Sequence, residues 1–311
     1  MPQLAALLML TAALTALLTI GAACAATHHE TIPSTLGVAR SSADLHALLA
    51  TPGPVTLETV DSATWQVPLS GLLNLDHAKS KSAGLADRAE PILVQFHVIR
   101  HPQQGMFIVD TGVERAALDA ERAAVRGLVA DFMQVKETLV IKQSLHAYLD
   151  AHAPKEKLAG VFLTHLHLDH VMGLPDVPKD TALYAGPIET KPTSFMNVLV
   201  GPNIERALAG HTALREWAYG KDGIVDIFGD GSVFALWMPG HTPGNTAYLV
   251  RTTTGPVLLT GDTSHTRWGW DNDVEPGTYS LNAVESAASF HKLKTLAAAH
   301  PNIEVRVGHQ H

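Results

Sequence analysis

The sequence has 311 residues, a net charge of −8 and 18 histidines. An acidic chain does not favour binding to nucleic acid or to an anionic membrane surface, because both require basic patches. Its lysines and arginines are spread singly along the chain, so we predict a small-molecule partner, no nucleic acid and no membrane contact other than an N-terminal anchor.

The first 26 residues carry no charged side chain, and residues 4–20 are mainly Leu, Ala and Thr. An apolar core followed by small residues is typical of a signal peptide. We therefore predict a signal peptide over residues 1–25, which makes the protein periplasmic or secreted. Two alternatives stay open: a lipoprotein leader that ends before Cys24, with lipid anchoring through this cysteine, and an uncleaved anchor. Residues 26–311 contain no linker and no repeat, so we expect a single domain there.

The first half of the chain alternates apolar runs with turn residues. Helical apolar spacing predicts a helix over residues 139–149. Residues 187–210 have weak periodicity and predict a loop or short helices near the entrance of a site. The apolar runs predict strands over residues 55–60, 92–99, 106–109 and 158–163.

The second half contains a further set of strands and an amphipathic helix. The helix is predicted over residues 283–299, because His300-Pro301 ends it. Strands mixed with helices in both halves predict a layered α/β protein with helices outside two sheets. The strands are predicted over residues 224–228, 233–238, 246–250, 257–259 and 303–307.

Residues 165–170 read His-Leu-His-Leu-Asp-His and follow a predicted buried strand. Three imidazoles and a carboxylate at this density are ligands for transition-metal ions. A histidine-rich surface loop is the alternative. Three later strand ends also deliver His or Asp beside a glycine, which lets the backbone bend sharply. The side chains at these three positions are His241 in PGHTPG, Asp262 in TGDT and His309 in GHQ.

This series of motifs resembles the metallo-β-lactamase superfamily, from about Ile92 to the C-terminus. The resemblance implies an αββα sandwich in which helices flank two mixed β-sheets. It also implies a centre with two divalent metal ions, bridged by Asp262. The ligands that it implies are His165, His167 and His241 for the first ion, and Asp169, His170 and His309 for the second. Asp110, in Asp-Thr-Gly, matches an aspartate that orients a ligand, with a turn carboxylate at a strand end as the alternative.

Two ions about 3.5–4 Å apart can share a hydroxide and present it to an electrophilic carbon or phosphorus. We predict Zn²⁺, with Mn, Co or Fe as alternatives, because His/Asp sites accept all of these metals. Asp169 is a candidate for passing a proton to the leaving group, since it would lie beside the second ion.

The segment after Asp262 is similar to that of N-acyl homoserine lactonases, with two departures. The lactonases have a tyrosine where this chain has His265, and an aspartate where it has Gln310. In the family that the segment resembles, this tyrosine donates a hydrogen bond to the lactone carbonyl. We predict that His265 takes this catalytic role, with an exposed turn residue as the alternative. Trp268, Trp270 and residues 195–196 are candidates for the apolar wall of a pocket, with core packing as the alternative.

These features predict an exported dinuclear-metal hydrolase that uses a metal-bridging hydroxide to open the ring of an N-acyl homoserine lactone, and thus a quorum-quenching enzyme. Other ester, thioester, β-lactam or phosphotriester hydrolases of the superfamily are alternatives. A mononuclear iron enzyme of the persulfide dioxygenase kind is a further one. The sequence leaves the oligomeric state open, a homodimer included.

Overall fold

The computed structural model describes residues 27–152, 156–191 and 195–311, with the backbone alone for residues 195–199. The predicted signal peptide, the alternative leader with Cys24 and the side chains of Phe195 and Met196 lie outside the described residues. In the part that the structure describes, no helix is both long enough and apolar enough to span a membrane.

The described residues form fourteen strands and ten α-helices. The strands are β1 (Thr31–Pro33), β2 (Val38–Ala39), β3 (Thr56–Pro68), β4 (Ala89–His101), β5 (Gly105–Val109), β6 (Val140–Ile141), β7 (Leu158–Phe162), β8 (Ala182–Ala185), β9 (Leu214–Glu216), β10 (Ile224–Asp226), β11 (Val233–Trp237), β12 (Thr246–Thr252), β13 (Gly255–Leu259) and β14 (Glu304–Arg306). The helices are α1 (Ser42–Leu48), α2 (Leu69–Leu72), α3 (Ala78–Ser82), α4 (Leu128–Phe132), α5 (Val135–Thr138), α6 (Leu145–His152), α7 (Leu168–Val171), α8 (Phe195–Leu208), α9 (Arg267–Asn272) and α10 (Ala283–Ala299).

The strands form two mixed sheets. The larger sheet has the order β1-β9-β8-β7-β5-β4-β3-β6, and the smaller has the order β14-β13-β12-β11-β10-β2. Their inner faces share an apolar core, where the rings of Phe162 on β7 and Tyr248 on β12 stack at 5.9 Å. On the outer face of the smaller sheet, Phe290 and Leu293 of α10 join a second core cluster. The predicted αββα sandwich is therefore confirmed.

Two sequence predictions about local structure were wrong. The helix predicted over residues 139–149 begins only at Leu145, because Val140–Ile141 instead pairs with β3 at the edge of the larger sheet. The segment 187–210 contains one fourteen-residue helix, Phe195–Leu208, with Pro202 inside it. Its buried C-terminal half packs into the core of the larger sheet, and this packing offsets the cost of an internal proline.

The strand directions bring the ligand-bearing turns to one edge of the sandwich. β11 and β13 are both antiparallel to β12, and β14 is parallel to β13. These three strands therefore end on the same side. In the larger sheet, β5 and β7 are parallel to each other. β5 leads into the turn that begins with Asp110, and β7 leads into the His-Leu-His-Leu-Asp-His motif.

Candidate metal centre

Seven side chains converge at this edge in two groups that share Asp262. Within each group, one potential ligand atom per residue lies within 4.8 Å of all the others. We call them the first group (His165, His167, His241 and Asp262) and the second group (Asp169, His170, Asp262 and His309). The structure thus brings together every residue that the sequence proposed as a metal ligand.

The first group is arranged around the imidazole of His241. Its Nε2 lies 3.2 Å from His165 Nε2, 2.9 Å from His167 Nδ1 and 3.2 Å from Asp262 Oδ2. Ligand atoms about 2.0–2.1 Å from a tetrahedral zinc ion are about 3.3 Å from one another. These separations therefore match the edges of such a coordination shell.

The second group has similar spacing. His309 Nε2 lies 3.4 Å from Asp169 Oδ2 and 3.1 Å from Asp262 Oδ1, and His170 Nε2 lies 3.6 Å and 3.4 Å from the same two oxygens. Asp262 thus directs Oδ2 at the first group and Oδ1 at the second. One carboxylate joins the two groups.

Hydrogen bonds orient both imidazoles of the second group. His170 Nδ1 donates to Asp110 Oδ2 at 2.8 Å, and His309 Nδ1 donates to the carbonyl of Leu93 at 3.0 Å. With the proton at Nδ1, the lone pair at Nε2 points into the group. Asp110 has a left-handed backbone with φ of 57°, and its Oδ1 also accepts the Thr164 N–H at 2.8 Å.

The charges of the two groups differ in the absence of metal. Burial, together with neighbouring imidazoles, lowers the pKa of His165 well below its usual value and that of His167 to about 3. Burial also lowers the pKa of His170, but Asp262, Asp110 and Asp169 outweigh it and raise this pKa well above its usual value. Metal ligation requires neutral imidazole, so an ion in the second group would displace a proton from His170.

The donor set fits two divalent ions. Among the described residues, His170 Nε2 and Asp262 Oδ1 are buried polar atoms without a hydrogen-bond partner. Such atoms are costly unless a cation or a proton pairs with them. Imidazole and carboxylate donors suit Zn²⁺, Mn²⁺, Co²⁺ and Fe²⁺ alike.

His265 lies beside the centre and is buried, so the alternative of an exposed turn residue is wrong. Its Nδ1 donates to the carbonyl of Leu72 at 2.9 Å, and its Nε2 lies 3.3 Å from Asp262 Oδ2. A neutral ring that keeps its proton on Nδ1 has an acceptor at Nε2. His265 can therefore donate a hydrogen bond from Nε2 only when the ring carries both protons.

The two tryptophans do not form the predicted pocket wall together. Trp270 is buried in the core and packs edge-on against Phe290, with ring centroids 5.8 Å apart, so the pocket-wall prediction is wrong for this residue. Trp268 is half-buried and packs against the small apolar cluster that contains Leu73 and Val274. Core packing is thus the outcome at Trp270.

Sequence reasoning missed Glu189, a buried carboxylate between two of the ligand loops. The signal in the sequence was weak, since a single glutamate follows Gly186-Pro187-Ile188 in a segment without clear periodicity. Gln310, the second departure from the lactonases, has a structural contact. Its Oε1 accepts the N–H of Arg267, the first residue of α9, at 3.0 Å.

Residues 91–309 match the sequence model of the metallo-beta-lactamase superfamily. The chain belongs to this superfamily. It is 32% identical over 144 residues to an N-acyl homoserine lactonase of Azorhizobium caulinodans, over 44% of this chain and 52% of that protein. It is 28% identical over 212 residues to an N-acyl homoserine lactonase of Rhizobium johnstonii, over 66% of this chain and 78% of that protein. The chain thus spans about half the length of the first of these superfamily relatives.

Solved structures show the same fold. One is an N-acyl homoserine lactone hydrolase with N-hexanoyl-L-homoserine bound at its catalytic metal centre. It matches with a TM-score of 0.58 and 18% identity, over 84% of this chain and 94% of that one. A dizinc quorum-quenching lactonase matches with a TM-score of 0.52 and 16% identity, over 84% of this chain and 89% of that one. At these identities the likeness concerns the fold alone.

Proposed function

We propose that this superfamily member is a hydrolase with two divalent metal ions, and that its substrate is a lactone of the N-acyl homoserine type. The observation that carries the proposal is the placement of Asp262, whose two oxygens face two separate groups of ligand-type side chains. Two bound ions would supply a shared hydroxide and a positive charge that stabilises an oxyanion. We propose Zn²⁺ as the native metal, since the spacing of the first group suits tetrahedral coordination.

We assign the proton transfer and the positioning of the substrate to three residues of the protein. Asp169 is the more exposed of the two carboxylates, with 17% of its side chain accessible against 4% for Asp262. It therefore lies nearer to the open side, where it can pass a proton to the departing oxygen of the ring. Asp262 holds the two halves of the centre together. His265 would donate from Nε2 to the carbonyl oxygen of the substrate, which requires the substrate to reach this buried ring beside Asp262 Oδ2, 3.3 Å from Nε2.

The substrate class rests on similarity to the lactonases and needs a direct test. The protein loaded with zinc is incubated with N-acyl homoserine lactones of several chain lengths, and ring opening is followed by the release of acid. A β-lactam, a phosphotriester and a thioester are run in parallel. Ring opening of at least one lactone supports the proposal. Activity on another substrate alone would overturn the lactone assignment and keep the hydrolase.

Metal analysis of the same preparation tests the dinuclear centre. Two zinc-like ions per chain support it, whereas one iron per chain would support an oxygenase of the persulfide dioxygenase kind instead. Export is also a proposal, supported by the uncharged, apolar N-terminal segment of the sequence. The mass of the mature protein from a bacterial host tests it. Cleavage after Ala25, or a lipid adduct on Cys24, would identify the route, and an intact N-terminus in the cytoplasm would contradict export.

A further inference from the structure

Glu189 is a buried carboxylate between two loops of the first group. Its Oε2 accepts the N–H of Leu166 at 3.1 Å, and Leu166 lies between His165 and His167 in the chain. Its Oε1 accepts the hydroxyl of Thr242 at 2.5 Å and the N–H of Gly244 at 2.7 Å, in the loop that carries His241. One side chain thus connects both loops that supply the three histidines of this group.

Tight backbone packing fixes Glu189 against the second of these loops. A Cβ added to Gly186 would lie 1.7 Å from the carbonyl oxygen of Gly244, and one added to Gly244 would lie 2.8 Å from the Cγ of Glu189. The segment after β8 and the loop after β11 are therefore in direct contact. Neither can shift without disturbing the other.

Among the described residues, the His241 ring has no counterpart of Asp110, whereas His165 Nδ1 lies 3.1 Å from Thr164 Oγ1, which also contacts Asp110. In the second group, Asp110 orients the ring of His170 through Nδ1. By contrast, His241 Nδ1 is buried and has no hydrogen-bond partner among the described residues. The position of the His241 ring therefore depends on the backbone of its loop, which Glu189 holds at Thr242 and Gly244.

Keeping a carboxylate at this location is costly. Burial raises the pKa of Glu189 to about 7, against the opposing effect of its three hydrogen bonds. All three donors are neutral, so they compensate a buried charge only in part. A glutamine would avoid this cost and is nearly the same size. A contribution of this carboxylate to the positions of the metal ligands would explain why the chain has a glutamate here.

We propose that Glu189 is a positioning residue for the first group: its carboxylate fixes the His165–His167 loop and the His241 loop at the separation that a metal ion requires. The inference rests on the proposed metal centre and does not depend on the identity of the substrate. Outer hydrogen bonds of this kind typically change metal affinity by about 10- to 100-fold when they are removed.

The Glu189→Gln variant tests the proposal. The amide nitrogen replaces one acceptor by a donor, so at least one of the three hydrogen bonds is lost while the size stays the same. Metal-free protein is titrated with Co²⁺ by calorimetry and by absorption spectroscopy, both without substrate. We expect the affinity of one of two sites to fall about 10- to 100-fold, with a changed spectrum for that site and little change at the other.

Glu216→Gln is the matched control. Glu216 Oε1 accepts the N–H of Ile188 at 3.0 Å, in the same segment of the chain but without contact to a ligand loop. We expect this variant to bind both ions as the unchanged protein does. An equal loss of affinity in both variants would contradict the proposal.

A purely structural role gives a different result. In that case Glu189→Gln lowers the melting temperature of the metal-free and metal-loaded forms equally and leaves both affinities and the spectrum unchanged, which overturns the proposal. If Glu189→Gln does not fold, the Thr242→Val variant tests the proposal instead. It removes only the hydroxyl that donates to Glu189, and the size of the side chain stays similar. A weaker affinity at one site supports the proposal, and unchanged affinities overturn it. Failure of the unchanged protein to bind two ions would instead overturn the proposed function.

Discussion

His170 and His241 each direct a ring nitrogen at the candidate metal centre, but they are held in different ways. His170 is oriented at its ring, through Asp110, whereas His241 is positioned by its backbone, through the contacts of its loop with Glu189. A hydrogen bond to the ring fixes both the tautomer and the direction of the lone pair. A hydrogen bond to the loop fixes only the backbone position from which the side chain extends, and leaves the rotation of the ring free. The two halves should therefore respond differently to substitution.

The largest effect is expected at the residue that both halves share. Asp262→Ala removes the carboxylate that faces both groups, so we expect both ions to bind weakly. Activity should then fall by more than about 100-fold, because even changes outside the coordinating atoms cost 10- to 100-fold. Metal content after dialysis and the hydrolysis rate check this. Asp271→Ala, at an exposed carboxylate of α9, is the control, and an active Asp262→Ala variant would exclude a bridging role.

The second half is tested by Asp110→Asn. Asparagine tolerates the left-handed backbone of this position, so the turn should be kept. The amide can no longer accept from both His170 and Thr164, and we expect the affinity of the second group to fall by about 10- to 100-fold. The first group should lose less, because only its His165 is connected to Asp110, through Thr164. In a cobalt titration, the site that is weakened more in Asp110→Asn should be the one that is weakened less in Glu189→Gln. Equal weakening of both sites in each variant would remove the distinction between the halves.

His265 is a sixth imidazole beside the two groups, next to Asp262. Its substitution tests whether it acts on the substrate instead of the metal. His265→Phe should lower kcat/KM by about 100-fold, the order found when one oxyanion donor is removed, with two ions still bound. His265→Gln keeps a donor and should retain more activity. Loss of metal in His265→Phe would show that the role concerns the ions.

Glu114 offers a contrast to Glu189, since it is a buried acid away from the ligand loops. Burial raises its pKa to about 7, and it accepts the N–H of Ala124. Its folded pKa lies above the unfolded value, so the fold favours the neutral form and loses stability as the pH rises from about 4.5 to about 7, with little further change at higher pH. Glu114→Gln should therefore stabilise the protein by on the order of 1–2 kcal/mol at pH 8, and by less at pH 5. Urea unfolding at both pH values measures this, and a destabilised variant at pH 8 would contradict it.

The sequence predicted most of the sheet strands and the ligand set, but it predicted edges and supporting contacts poorly. β7 is a continuous apolar run that is buried at all positions except Ala159, so composition alone predicts it. Val140–Ile141 fits the apolar spacing of a helix as well as that of a strand, and only its pairing with β3 makes it a strand. Glu189 could not be assigned because its three partners are 23, 53 and 55 residues away in the chain.

The sequence by itself determined which side chains are of the metal-ligand type and that a turn follows each strand that delivers them. It did so because ligand types and glycines are local properties. Only the tertiary structure decided that Asp262 faces both groups, that His265 is buried with its Nδ1 bound to Leu72, and that Glu189 joins two loops. These are relations between loops and element ends that are far apart in the chain. They follow from how the sheets pack, and no local pattern in the chain encodes them.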